Sequence, residues 1–98
     1  MRLVANVRVL PQAEADILEA VAWYEAHNPR TARRFDDAVA AAIDRVSVAP
    51  ELYASEDDQY RRCPVRKFRY VVVYRYDPFS DEVIVAAVAN PAEDSRRF

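Results

Sequence analysis

The 98-residue sequence contains no glycine, a single cysteine (Cys63) and a single histidine (His27). Without glycine there is no phosphate loop, no dinucleotide fingerprint and no nucleophile elbow. Each of those needs glycine for close backbone approach or a positive φ. One cysteine excludes an internal disulfide, and one cysteine with one histidine excludes a Cys/His zinc site. The aspartates do not follow calcium-loop spacing, so no metal or cofactor is expected. No stretch approaches the roughly 18 apolar residues of a membrane span. The opening MRLVANVRVLPQAEAD is interrupted by Arg8 before an apolar leader could form. The expectation is one soluble, cytoplasmic domain over residues 1–98 with no membrane contact.

What is present is an ordinary globular balance: 52% hydrophobic, 31% charged and a net charge of -2. That total argues against a polyanion binder over the whole surface, though not against a local basic patch.

Prolines do the punctuating that glycine cannot. Residues 3–9 alternate, with Leu3, Ala5, Val7 and Val9 on one face and Asn6 and Arg8 on the other, which predicts a half-buried strand suited to an edge. Pro11 suits a first helical turn, followed by Glu14 and Asp16 where the helix dipole favours acids. Ile17, Val21 and Tyr24, with Leu18 and Ala20 alongside, form an apolar stripe to about His27. Asn28-Pro29 predicts an N-cap and N1 pair that starts a second helix. Its stripe is Ala32, Phe35, Val39, Ala42, Ile43 and Val46, and Pro50 ends it.

Residues 51–59 are acidic and aperiodic, a loop. Three strand-like segments follow at 60–66, 69–76 and 82–90. Pro64 confines the first to an edge or bulge, while the last is apolar on both faces, as a central strand would be. Asp77–Asp81 is a hairpin loop, and PAEDSRRF is a tail, irregular or one helical turn. The fold class is therefore α+β in the order β-α-α-β-β-β, a helical hairpin packed on a small, largely antiparallel sheet.

For catalysis, His27 falls at a predicted helix–helix turn and Cys63 on another element, so they read as an exposed turn histidine and a half-buried small apolar residue. Asp36-Asp37 and Glu56-Asp57-Asp58 read as solvated charge. Trp23 and Tyr24 are adjacent on one helix and cannot share a face. Tyr24 lies on the stripe, and Trp23 is expected to pack structurally.

Charge distribution says more than its total. Between Tyr60 and Tyr76 lie Arg61, Arg62, Arg66, Lys67, Arg69 and Arg75, and no acid, so the segment carries +6 and the rest of the chain -8. Interleaved with Tyr60, Phe68, Tyr70, Tyr74 and Tyr76, these cations suit a partner's carboxylates or a nucleic acid. The competing reading is ion pairing with the chain's own acids. Together with Arg96 and Arg97 they form the candidate partner-binding set.

The order of elements and several motifs resemble the RelE/ParE family of bacterial toxins from type II toxin–antitoxin pairs. The residues are A-E-A-D-I and W-Y-E in the first helix, N-P-R-T-A-R-R-F opening the second, R-R-C-P-V-R-K-F-R-Y-V-V-V-Y-R across two strands and V-I-V-A-A-V-A-N in the last. The resemblance implies a toxin that arrests growth and is neutralised by a cognate antitoxin whose mobile segment folds onto it. In the mRNA-cutting branch, basic side chains converge on the 2′-OH and phosphate. Here Val71 and Pro64 stand where that branch carries arginine and lysine, and Asn90-Pro91-Ala92-Glu93-Asp94 leads to Phe98 where related sequences carry a histidine and arginines. These departures favour the ParE-like branch, which binds DNA gyrase by protein contact and needs no catalytic residues. The alternatives are a ribosome-dependent mRNA endoribonuclease using Arg62, Arg66 and Lys67, or a non-toxic module that still binds an antitoxin.

Overall fold

The structure, a computed structural model, describes residues 4–55 and 59–91. Its elements run β1 (Asn6–Val9), α1 (Pro11–His27), α2 (Pro29–Val48), β2 (Arg61–Val65), β3 (Tyr70–Asp77) and β4 (Glu82–Ala89). The turn between the helices is one residue long. Asn28, in extended conformation, accepts the Arg30 N–H on its side chain at 3.0 Å, while Pro29 opens α2. The backbone carbonyl of Asn28 takes the N–H groups of Thr31 and Ala32. Cap and proline together reverse the chain without glycine.

The sheet order is β1-β4-β3-β2. β2–β3 and β3–β4 are antiparallel hairpins, but β1 joins the far edge parallel to β4, so the sheet is mixed. Both edge assignments are as the sequence suggests: β1 is an edge, and Pro64 sits in the other edge strand. β4 lies inside, as its two-sided apolar pattern requires. Its pairing with β3 slips by one residue, Val73 facing Ala87 and Tyr74 facing Val85. That bulge keeps Val83, Val85 and Val88 in the core beneath the helices.

The helices cover one face. α2 supplies Phe35, Val39, Ala42 and Val46, α1 supplies Ala13 and Ala20, and the strands supply Cys63, Val65, Val72 and Tyr74. Burying each of the larger side chains contributes about 1.5–3 kcal/mol. Three details depart from the sequence reading. Leu18 is 69% exposed, because it lies about 100° around the helix from Ile17, which does pack on the core. Cys63 is fully buried, its thiol 3.8 Å from the Ala42 carbonyl. Trp23 is 58% exposed, and its aromatic ring contacts among the described residues lie within its own helix, a stack on His27 at 4.1 Å and an edge-on contact with Tyr24 at 5.2 Å.

Among the described residues the buried polar side chains are Asp16 and Ser47, and Asp16 is the acidic one. The sequence reading gave it a dipole role, whereas its Oδ2 accepts the Val88 N–H at 3.1 Å and its Oδ1 the Gln12 side-chain N–H at 2.8 Å. It ties α1 to β4 just past the bulge. A buried acceptor pair of this kind holds two elements in one register, because breaking it strands a polar group.

Candidate functional site

Strand pleating divides the cations that the sequence places in one run. Neighbouring strand residues point to opposite faces. Cys63, Val72 and Tyr74 face the helices, so Arg62 and Arg75 belong to the helix-free face. There, Arg62 lies opposite Val73, and Val73 opposite Ala87. Arg75 and Arg8 both lie opposite Ile84, so one row crosses three strands as Arg8, Ile84, Arg75. Arg8 is a member that the sequence reading left out, since its place depends on the parallel β1–β4 pairing. It also makes an ion pair with Glu82 at 3.4 Å.

Arg61 has a different task. Its guanidinium donates to the backbone carbonyls of Tyr53 at 2.6 Å and Glu51 at 3.3 Å, pinning the segment that follows α2. The phenol of fully buried Tyr74 donates to the Pro50 carbonyl at 2.8 Å beside it, and burial pushes that phenol up to about 12. Arg61 is therefore a tether first. From α2, Arg45 donates to the Pro64 carbonyl at 2.7 Å.

The remaining three cations come together. The β2–β3 connection reads Arg66-Lys67-Phe68-Arg69. Arg66, Lys67 and Arg69 are exposed, while Phe68 turns inward. The Phe68 N–H closes the turn on the Val65 carbonyl at 3.1 Å. Lys67 takes the left-handed conformation, φ 70°, that a glycine would otherwise fill. Phe68 meets Tyr24 at 5.5 Å and Phe35 at 5.2 Å, and Phe35 meets Tyr24 at 5.2 Å and Tyr70 at 5.0 Å. One aromatic cluster thus joins α1, α2, the turn and β3, and edge-on contacts of this type add about 0.5–1.5 kcal/mol each beyond burial.

That cluster floors one end of a groove of about 700 Å³. Lys67 and Arg69 form one wall, Trp23 and Glu19 of α1 the other, with Tyr70 and Asn90 at the strand ends. The groove has what a peptide ligand needs: an aromatic surface to bury apolar side chains and charges of both signs at its rim. No sequence signal marked Trp23 as a wall residue beyond its failure to fall on the α1 stripe.

The catalytic alternative needs Arg62, Arg66 and Lys67 to converge. Arg62 sits inside β2 on the helix-free face, and Arg66 is four residues on, roughly 13 Å along an extended chain. Arg96, Arg97 and the acidic run Glu56-Asp57-Asp58 lie outside the described residues. Among the described residues, no three His, Cys, Asp or Glu side chains are grouped to hold a metal, and no helix is long and apolar enough to cross a membrane.

Residues 7–94 match the model of a protein family described as the ParE toxin of type II toxin–antitoxin systems, parDE. The chain belongs to the ParE toxin family. The ParE fold is matched in three dimensions too. A solved structure described as the chromosomal ParDE toxin–antitoxin system from P. aeruginosa superposes with a TM-score of 0.76. The two chains are 13% identical, and the match covers 91% of this chain and 98% of the other. No curated protein sequence matches this ParE family member. Membership makes it a toxin of the type II class and agrees with the resemblance carried by its helix and strand motifs.

Proposed function

We propose that this ParE-family toxin arrests growth by binding a DNA gyrase subunit, and that a cognate antitoxin neutralises it by laying a segment in the groove beside the cationic turn. The observation that carries the proposal is the pair Lys67 and Arg69, held by Phe68 at the rim of a groove lined by Trp23 and Tyr24, with exposed Arg66 preceding them in the same turn. An antitoxin segment would bury apolar side chains on the aromatic floor and set carboxylates against the turn. Arg62 and Arg75, with Arg8 beside them, give the helix-free face a second cationic surface, and that face is the one proposed for the target. Protein contact alone suffices for such a toxin, so no converging catalytic set is required of it.

Induction without the product of the adjacent reading frame tests both halves. The expected outcome is growth arrest with gyrase-dependent DNA breaks, relieved when that product is co-expressed. Arrest with intact DNA and new cleavage ends on translated messages, read by primer extension, would replace this proposal with the endoribonuclease reading. Unimpaired growth with retained binding to the adjacent product would make the chain a non-toxic antitoxin-binding module.

A further inference from the structure

We infer that Arg30, Arg33 and Arg34, at the start of α2, form a separate docking patch for the phosphate backbone of a nucleic acid. The three follow one another at i, i+3 and i+4, so they share one face of the helix within about 6 Å of axial rise. All three are exposed, and with Pro29 and Asp37 they line a shallow groove of about 380 Å³.

Their placement is costly for the helix. The first turn of α2 contains no acid. Cations there oppose the positive end of the macrodipole by about 0.3–1 kcal/mol each. Asp37, at i+4 from Arg33 and i+3 from Arg34, offsets only part of this. Elsewhere arginine side chains are engaged, Arg8 with Glu82, Arg45 with the Pro64 carbonyl and Arg61 with the Tyr53 carbonyl, whereas the Arg30, Arg33 and Arg34 guanidiniums make no hydrogen bond or ion pair within the described residues. The backbone N–H groups of the first turn are already taken by Asn28, so a ligand here meets guanidinium groups and not a bare helix terminus.

The lining decides the class of ligand. A protein interface needs an apolar centre that excludes water, and this groove offers only Pro29. A phosphate backbone needs only well-placed cations, and three guanidiniums span two or three successive phosphates. The contrast with the aromatic groove is direct, and the patch does not depend on the antitoxin proposal.

The test is fluorescence anisotropy of a labelled mixed-sequence duplex of about 20 base pairs, titrated with the full chain from low (about 25 mM) to physiological salt. Binding at low salt is expected, with a log–log salt slope of about -2 to -3. The R30A/R33A/R34A variant should bind at least about tenfold more weakly at low salt. Its melting temperature should be equal or higher, since charges opposing the dipole are gone. R34A alone should give a partial loss and serves if the triple variant does not fold. The inference is overturned if the duplex does not bind at low salt or if the triple variant binds it like the parent. A poly-glutamate peptide binding as tightly as the duplex, with the same arginine dependence, would also overturn it in favour of an acidic protein.

Discussion

The two hairpin turns of the sheet solve the same problem in opposite ways. Both lack glycine, and both place one residue in the left-handed region, Lys67 at φ 70° and Asp81 at φ 54°. The β2–β3 turn sends its aromatic residue inward and its charges out, so tertiary packing of Phe68 holds it. The β3–β4 turn leaves Phe79 fully exposed and is held by its own polar groups. Asp77 Oδ1 accepts the N–H of Phe79 at 2.9 Å and of Ser80 at 3.4 Å, and the Tyr76 hydroxyl donates to Asp81 at 2.8 Å. A turn anchored in the core can present cations at a fixed position, which is what a grip needs. A turn held by local hydrogen bonds only has to close.

The largest expected effect comes from removing the anchor. Phe68→Ala should cost about 2–3 kcal/mol in denaturant unfolding, somewhat less than for a fully buried phenylalanine, because Phe68 is half-buried. A cost below about 0.5 kcal/mol would mean the turn does not depend on the core. Lys67→Gly should raise stability by about 1 kcal/mol by relieving the left-handed backbone, while weakening partner binding through the lost charge. Loss of stability on that change would show that Lys67 is held by contacts and not merely tolerated.

The acidic turn should respond to pH instead. The hydrogen bond from the Phe79 N–H, then that from Ser80, holds the Asp77 carboxyl below its ordinary range. A depressed folded-state value means its contribution is present above the unfolded value of about 3.9 and disappears as pH falls through the folded value. Asp77→Asn should therefore flatten the acid limb of the stability curve and leave neutral pH little changed; an unaltered acid limb would contradict the assignment. The smallest effect belongs to Phe79→Ala, within about 0.5 kcal/mol of the parent, since its side chain is wholly in solvent.

Much of this architecture was legible from local chemistry. Asn28-Pro29 specified the helix junction because cap and N1 preferences act within three residues. Pro64 specified an edge because a missing N–H cannot serve a central ladder. What escaped was non-local. The parallel pairing of β1 with β4 joins segments more than seventy residues apart, and with it came Arg8 on the helix-free face. Asp16 reads as an ordinary acid near the start of α1 until its partner at Val88 is in place. The cationic run was visible as composition, yet pleating and one turn distribute it over a tether, a face and a rim. Alternation alone already separates Arg61 from Arg62, but only the aromatic contacts of Phe68 show why Arg66, Lys67 and Arg69 stand together.

The most direct measurement is the affinity of the adjacent reading frame's product for the parent chain and for the R66E/K67E/R69E variant, with melting temperatures recorded beside it. The account predicts a loss of about tenfold or more, growing as salt is lowered, in a variant that melts like the parent. Equal affinity in a folded variant would contradict it and move the grip away from this turn.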